Sequence, residues 1–149
     1  MAIQHFKDIS IVDGDIKINI DLSRYDERFA DAQYLLDGMV MNSMVPYMPK
    51  ITGGFINLTR AQSAAIQGTG KVVAGAPPMG RFLYMGKVMV DPVTGSAWAR
   101  YGAKKIVTEK DLNLKHGNPK ATPQWFETAK RVDKDKWIKA VEKQVKHGR

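Results

Sequence analysis

The 149-residue sequence contains no cysteine, so disulfide bridges and thiolate metal sites are excluded. No stretch approaches the roughly 20 consecutive apolar residues that a membrane-spanning helix requires. Residues 1–7 do not have the basic leader and apolar run of a secretion signal. We therefore expect a protein that is synthesised in the cytoplasm, has no membrane partner and folds around an ordinary hydrophobic core.

Sequence signatures of catalysis and of cofactor binding are also missing. His5, His116 and His147 lie in segments that look terminal or loop-like, and none has a His or Glu partner at metal-ligand spacing. In Gly68-Thr69-Gly70-Lys71, Val72 follows where a phosphate-binding loop needs the Ser or Thr that holds Mg²⁺. The chain has no Gly-x-Ser-x-Gly elbow. We predict a protein that is not an enzyme, with no catalytic residue, no metal and no cofactor.

The net charge of +8 is unevenly distributed along the chain. Residues 1–46 hold 4 basic and 8 acidic side chains, whereas residues 47–149 hold 19 basic and 7 acidic ones. A solvated basic surface is a simpler interpretation than a dedicated nucleic-acid face. Ends of opposite charge are also suited to the head-to-tail packing of identical subunits.

The N-terminal third predicts one strand followed by one long helix. Residues 15–22 alternate polar and apolar side chains, which predicts a strand with one buried face. Apolar residues at helical spacing predict a helix from about Arg24 to Val45, with Ser23 and Asp26 as a capping box. Pro46 ends this helix, because proline has no amide hydrogen to donate.

Shorter elements are predicted in the rest of the chain. In order, they are a helix over 55–66 capped by Thr52, a strand over 71–75, a helix over 79–85 ending at Gly86, strands over 87–90 and 105–108, and a C-terminal helix opened by Pro123. Asp91 and Asp111 are isolated acids near turns. The mixture predicts a single α+β domain, residues 1–149, with a small mixed sheet packed against the two long helices and a protruding hairpin or loop at about 88–111.

Three blocks, in this order and spacing, resemble motifs of phage tail-completion and neck proteins. They are PYMPKITGGF at residues 46–55, APPMGRFLYMGK at 76–87 and PQWFETAK at 123–130. Residues 84–100, which include the turn Asp91-Pro92-Val93-Thr94-Gly95, are similar to the minor capsid protein family of long-tailed phages infecting Gram-positive bacteria. The resemblance runs from about Leu22 to Val145. Ala76-Pro77-Pro78-Met79 departs from the usual Ala-Pro-Tyr-Ala of the family by lacking its aromatic residue.

This resemblance implies an α+β virion protein without catalytic residues, whose copies form a ring at the head–tail joint. The implied partners are other copies of the chain, neighbouring head-closure or adaptor proteins, tail-tube or tail-terminator proteins, and passing DNA. The interaction positions that we predict from the motifs and the loop are Pro49, Thr52, Gly53, Pro77, Arg81, Tyr84, Gly86, Val88, Met89, Trp98 and Tyr101.

The apolar content of the 88–111 segment supports part of that list independently. This segment has more apolar residues than a free loop needs, which predicts contact with a neighbouring subunit or another neck protein; they are Val88, Met89, Val90, Trp98 and Tyr101. A hairpin folded onto its own domain fits the same pattern equally well.

Basic residues of the C-terminal helix are candidates for facing passing DNA through salt-sensitive, sequence-independent contacts; they are Lys130, Arg131, Lys134 and Lys139. A solvated helix face explains them more simply. Trp125, Phe126 and Trp137 share an apolar stripe and are predicted to be core. A small basic nucleic-acid-binding protein is the alternative from another class, and head closure and tail termination are alternative ring roles in the virion.

Overall fold

The computed structural model describes residues 6–148. Its helices and strands are, in chain order, β1 (Ile9–Asp13), β2 (Ile16–Ile20), α1 (Ser23–Met44), a 3-10 turn (Val45–Tyr47), α2 (Gly54–Ala65), α3 (Gly80–Met85), β3 (Lys87–Val90), β4 (Ile106–Asp111) and α4 (Trp125–His147). The strands form two separate antiparallel pairs, β1–β2 and β3–β4. The predicted α+β class is confirmed, and its strands are divided between two hairpins instead of sharing one mixed sheet.

Helix α1 lies within one residue of its predicted bounds at each end. The predicted capping box is wrong, because Leu22 and not Ser23 is the N-cap residue, and its apolar side chain makes no cap hydrogen bond. The carboxylate of Asp26 is instead used by the segment before β1, where its Oδ1 accepts a hydrogen bond from the Phe6 backbone N–H at 2.9 Å. The Ser23 backbone N–H donates to Asp21 Oδ1 at 2.9 Å.

The core lies where α4 packs along α1 and over the turn that follows it. Trp125 is fully buried and Trp137 is 6% exposed, which confirms both as core residues. Phe126 is partly buried against the same cluster. Trp137 Nε1 donates to Ser43 Oγ at 3.1 Å, so the polar edge of this buried indole is satisfied across the helix pair.

The predicted strand over 71–75 is wrong, because this segment is not in strand conformation and pairs with no strand of residues 6–148. Side chains of α2 take the place of a partner: Ser63 Oγ bonds both the N–H and the carbonyl of Val73, and Thr59 Oγ1 accepts from the N–H of Ala76. Trp125 Nε1 donates to the carbonyl of Ala74 at 2.7 Å. Side chains of α2 and α4 therefore bond backbone groups of this segment in place of a neighbouring strand.

A buried carboxylate fixes the turn that leads from α2 into this segment. Asp37 is 5% exposed and accepts hydrogen bonds from the N–H groups of Gly68 at 2.7 Å and Gly70 at 3.1 Å. Its other oxygen accepts from Gln33 Nε2 at 2.8 Å. One side chain of α1 thereby ties down the glycine-rich connection that the sequence marks only as a break.

The N-cap of α2 is Gly53, with φ +88°, and not Thr52 as predicted. Thr52 Oγ1 lies 3.4 Å from the N–H of Gly54. Helix α3 ends as predicted at Gly86, whose φ of +65° suits glycine. A Cβ at Gly86 would lie 2.7 Å from Pro123 Cβ, so glycine also permits close contact with the entry to α4.

The first hairpin does not have the buried face that the alternation predicted. All ten residues of β1 and β2 are exposed. The hairpin is attached at its base, where Leu22 N–H donates to Asp8 Oδ1 at 2.9 Å and the Phe6 ring meets Phe29 edge-on at 5.0 Å. The alternation correctly indicates a strand, but the face that it marks as apolar is not covered by any other element of residues 6–148.

Candidate interaction surface

A long segment, residues 91–105, joins β3 to β4, and we call it the connection. It is organised around one carboxylate. Asp91 directly follows β3 and is completely buried. Its Oδ1 accepts from the N–H groups of Val93 at 2.8 Å and Thr94 at 3.1 Å. Its Oδ2 accepts from the backbone N–H and from Nε of Arg100, both at 3.0 Å. Four donors therefore converge on one side chain.

These hydrogen bonds determine the charge state of Asp91. The Arg100 side chain is the largest influence, followed by the N–H groups of Arg100 and Val93, and together they hold the pKa of the carboxyl far below its usual range. Desolvation acts in the opposite direction and is outweighed. Asp91 is therefore an anion at neutral pH, and its bonds to the connection are charge-assisted.

The connection presents aromatic groups to solvent although its backbone is fixed. The Trp98 side chain is 86% exposed, and Tyr101 is as exposed as a residue can be. Trp98 N–H donates to Ser96 Oγ at 3.1 Å, and Ser96 carbonyl accepts from the Asp91 N–H at 2.8 Å. We define Trp98 and Tyr101 as the aromatic pair of this surface.

The apolar residues at the start of the 88–111 segment, unlike the aromatic pair, make contacts within the hairpin itself. Met89 is 5% exposed and packs inward. The carbonyl of Val88 accepts a hydrogen bond from Thr108 Oγ1 at 2.8 Å, which ties β3 to β4. These two residues therefore build the hairpin itself, in line with the alternative of a hairpin folded onto its own domain, while Trp98 and Tyr101 remain available to a partner.

Two motif positions of the second block, Tyr84 and Gly86, make contacts within the domain. Tyr84 lies edge-on to Trp125, with ring centroids 4.9 Å apart, and burial together with the charge of Glu127 raises the pKa of its hydroxyl. The carbonyl of Tyr84 accepts from the Gln124 N–H at 2.8 Å, and that of Gly86 accepts from the Leu112 N–H at 2.8 Å. Both positions connect α3 to later segments.

The other motif positions are distributed over the surface. Pro77 and Arg81 are exposed, whereas Pro49 is buried. Thr52 and Gly53 line one open cleft together with basic side chains of three segments, namely Lys50, Arg60 and Lys120. The structure brings Thr52 and Gly53 together but does not gather the motif positions into one continuous patch.

The candidate DNA-facing residues lie on a mixed-charge surface of α4. Lys130, Arg131 and Lys134 line one shallow recess, which Glu127 and Asp135 also line. Lys139 is exposed and does not line that recess. The alternation of signs favours a solvated helix face.

Two features of this surface were not recognised in the sequence. Asp91 was interpreted as an isolated acid, but it is the centre of the connection; the Asp-Pro-x-Thr-Gly spacing is the local signal for a carboxylate that bonds the following turn. The other feature is β1, which pairs with the predicted strand β2; its signal is that the alternation of isoleucines continues on both sides of Gly14.

Residues 6–148 provide neither a metal site nor a membrane-spanning helix. No group of three or more His, Asp or Glu side chains there is placed to hold a metal ion. In the same range, no helix has both the length and the apolar character needed to cross a bilayer. His116 and His147 are exposed, and His5 lies outside the described residues.

Comparison of the chain with protein-family models, curated proteins and solved structures finds no match in any of the three. The resemblance to phage neck and minor capsid proteins therefore stays a prediction from the sequence.

Proposed function

We propose that this chain is a structural virion protein of the head–tail joint of a long-tailed phage. Copies of the chain form a ring that joins the DNA-filled head to the tail, as a tail-completion or neck protein. The sequence blocks at residues 46–55, 76–87 and 123–130 suggest this role. The observation that carries it is the aromatic pair, Trp98 and Tyr101, displayed on a connection that the buried Asp91 holds in place.

The aromatic pair has the properties of a binding hot spot. Tryptophan and tyrosine dominate the energetics of protein interfaces, because each buries a large area and has few side-chain torsions to immobilise. The backbone around Trp98 is already ordered by the hydrogen bonds of Asp91, so a partner binds it without the cost of ordering a loop.

Passing DNA is the secondary partner in this proposal. Lys130, Arg131 and Lys134 are interspersed with Glu127 and Asp135, so contact with phosphates there is weak and independent of base sequence. A dedicated nucleic-acid-binding protein would need a more continuous basic face than this recess provides.

The function is tested by attachment to phage particles that lack the chain. Purified protein is mixed separately with DNA-filled heads and with free tails of its phage, and binding is followed by cosedimentation and electron microscopy. We expect wild-type protein to attach to one of the two and to restore head–tail joining. Trp98→Ala and Tyr101→Ala are expected to reduce attachment, while Leu58→Ala, which removes another solvent-exposed apolar side chain on α2, leaves it unchanged.

Two results would contradict the proposal. Protein that ignores both heads and tails but binds free DNA tightly would favour the nucleic-acid alternative. Attachment that is unaffected by loss of either aromatic side chain would show that this loop is not the docking surface.

A further inference from the structure

The β1–β2 hairpin has one face made almost entirely of isoleucine. In its register, Ile9 pairs with Ile20 and Ile11 with Ile18, and because successive side chains alternate between faces, Ile16 lies on that same side. The five side chains are between 42% and 65% exposed. We call this surface the isoleucine face; Ser10, Val12, Lys17 and Asn19 form the opposite face.

Within residues 6–148, no other helix or strand covers the isoleucine face. Outside its two strands, the hairpin makes only slight contact with any other helix or strand of residues 6–148. An isolated two-stranded hairpin is at best marginally stable in water, and an apolar face that stays exposed adds no stability. Contiguous apolar patches on protein surfaces commonly mark interaction sites, which makes the isoleucine face a candidate for one.

The same chain carries an apolar groove between its two long helices. Leu36 of α1 lines this groove with Trp137, Ile138 and Val141 of α4, and its volume is 300 Å³. Lys134 and Glu142 also line the groove, but its exposed lining is almost entirely apolar. Leu36 also lines an adjoining hollow of 290 Å³ that extends to Val72 and Phe126, so the apolar surface continues along α1.

The charges of the two surfaces are complementary. Residues 8–21, which include the hairpin, hold four Asp and one Lys, a net charge of −3. Helix α4 holds seven Lys and Arg against four Asp and Glu, a net charge of +3 with His neutral. Asp13 is paired with Ile16 on the isoleucine face and Asp15 lies in the hairpin turn, while Lys134 lines the groove together with one acid, Glu142, on a helix that is basic overall. Opposite charges at the edges of apolar surfaces orient an encounter and select the partner.

We infer that the isoleucine face of one copy docks in the α1–α4 groove of a second copy. Donor and acceptor surfaces differ, so the contact is head-to-tail and each docked copy still has one free hairpin and one free groove. Repetition of this contact closes a ring or extends a filament. This contact would be the one between neighbouring subunits of the ring, and to that extent it rests on the proposed function. Docking between two copies can nevertheless be measured on the free protein.

The absence of native cysteine allows a clean crosslinking test on the full chain. Ile18→Cys places a thiol on the isoleucine face, and Ile138→Cys places one in the groove of a second, mass-tagged copy. The two variants are mixed at high protein concentration and treated with a short bis-maleimide. We expect a crosslinked product that contains one tagged and one untagged chain. Both sites are partly exposed, so neither substitution should disturb the core.

The matched control is Lys17→Cys, which places the thiol one residue away on the opposite face of the hairpin. The inference predicts several-fold more product with Ile18→Cys than with Lys17→Cys, and loss of that product when Leu36→Asp is added to the groove copy. Equal yields from the two hairpin positions would overturn it. If Ile18→Cys chains crosslink chiefly to one another, the isoleucine faces of two copies pair with each other. If a chain that carries both Ile18→Cys and Ile138→Cys forms a crosslink within itself at high dilution, the hairpin occupies its own groove. Each of these results also rejects the inference.

The crosslinking experiment and the particle-attachment experiment test the two proposals separately. If the crosslink forms but the protein ignores heads and tails, docking between copies stands and the virion role is wrong. If the protein joins heads to tails but Ile18→Cys gives no more product than Lys17→Cys, the virion role stands and this docking mode is wrong.

Discussion

Arg100 Nε lies 3.0 Å from Oδ2 of Asp91 and donates a hydrogen bond to a carboxylate that has no solvent exposure. The two residues are nine positions apart, and between them the chain turns through Pro92–Gly95 and presents Trp98. Connections of this length are uncommon in compact domains unless they serve a function. The Asp91–Arg100 pair explains how the backbone of this connection is held in one conformation while the tryptophan side chain stays exposed.

Replacing Asp91 by Ala should release the connection without unfolding the domain. The N–H groups of Val93, Thr94 and Arg100 lose their acceptor, so their hydrogen exchange should accelerate while amides of α1 and α4 keep their protection. Asp111→Ala is the control, because Asp111 belongs to the same hairpin but is 80% exposed and bonds only one surface lysine. Equal acceleration in the two variants would argue against a special role for Asp91.

The connection should be insensitive to pH until strong acid. Because the pKa of Asp91 is depressed in the folded protein, its contribution to stability is fully present above the ordinary carboxyl value of about 3.9 and is lost as pH falls toward the folded value. The NMR resonance of Arg100 Nε–H should therefore stay constant between about pH 8 and about pH 5 and move only at lower pH. Asp91→Asn should abolish that acid transition; a transition near neutral pH in wild-type protein would contradict this account.

Trp125 should be among the most costly core residues to truncate. It is fully buried, lies edge-on to Phe55 and Tyr84, and donates to the carbonyl of Ala74. Trp125→Ala should lower the free energy of unfolding by about 3–5 kcal/mol, measured by urea denaturation. Trp125→Phe retains much of the packing but leaves the Ala74 carbonyl without its donor, which should cost about 1–3 kcal/mol. Equal losses in both variants would assign the whole effect to the hydrogen bond.

Trp98 should behave in the opposite way to Trp125 in the same measurement. Its side chain is 86% exposed, so Trp98→Ala should change the free energy of unfolding by less than about 0.5 kcal/mol. Loss of particle attachment in a variant of unchanged stability would then report on binding alone. A strongly destabilised Trp98→Ala monomer would show instead that the tryptophan packs onto its own domain.

Association between copies should weaken as salt increases. The acidic hairpin and the basic helix α4 attract each other across exposed charges, and such attraction is screened over about 10 Å at 0.1 M salt. Sedimentation velocity at low and high NaCl should show smaller species at high salt. Lys134→Glu should reduce association at low salt, and combining it with Asp15→Lys should restore part of it; an association that is independent of salt would argue against the charge complementarity.

Helix positions and the turn at Asp91 were predictable because they depend on neighbours in the sequence. Apolar spacing and Pro46 predicted α1 to within one residue at each end, and Gly86 marked the end of α3. Met89 shows the limit of such patterns, because an apolar residue beside a long connection fits an interface as well as a core. Its burial became evident only from the packing of the hairpin.

The amino-acid sequence by itself determined the α+β class, the two long helices, the core tryptophans Trp125 and Trp137, and the candidate loop aromatics. These follow from local periodicity and from proline and glycine chemistry, which act over a few residues. Only the tertiary structure decided that residues 71–75 are held by α2 instead of a strand, that Asp91 meets Arg100, and that the alternating strand β2 has an uncovered face. Each of these depends on which non-neighbouring group lies within hydrogen-bonding or packing distance, and the order of neighbouring residues does not determine that.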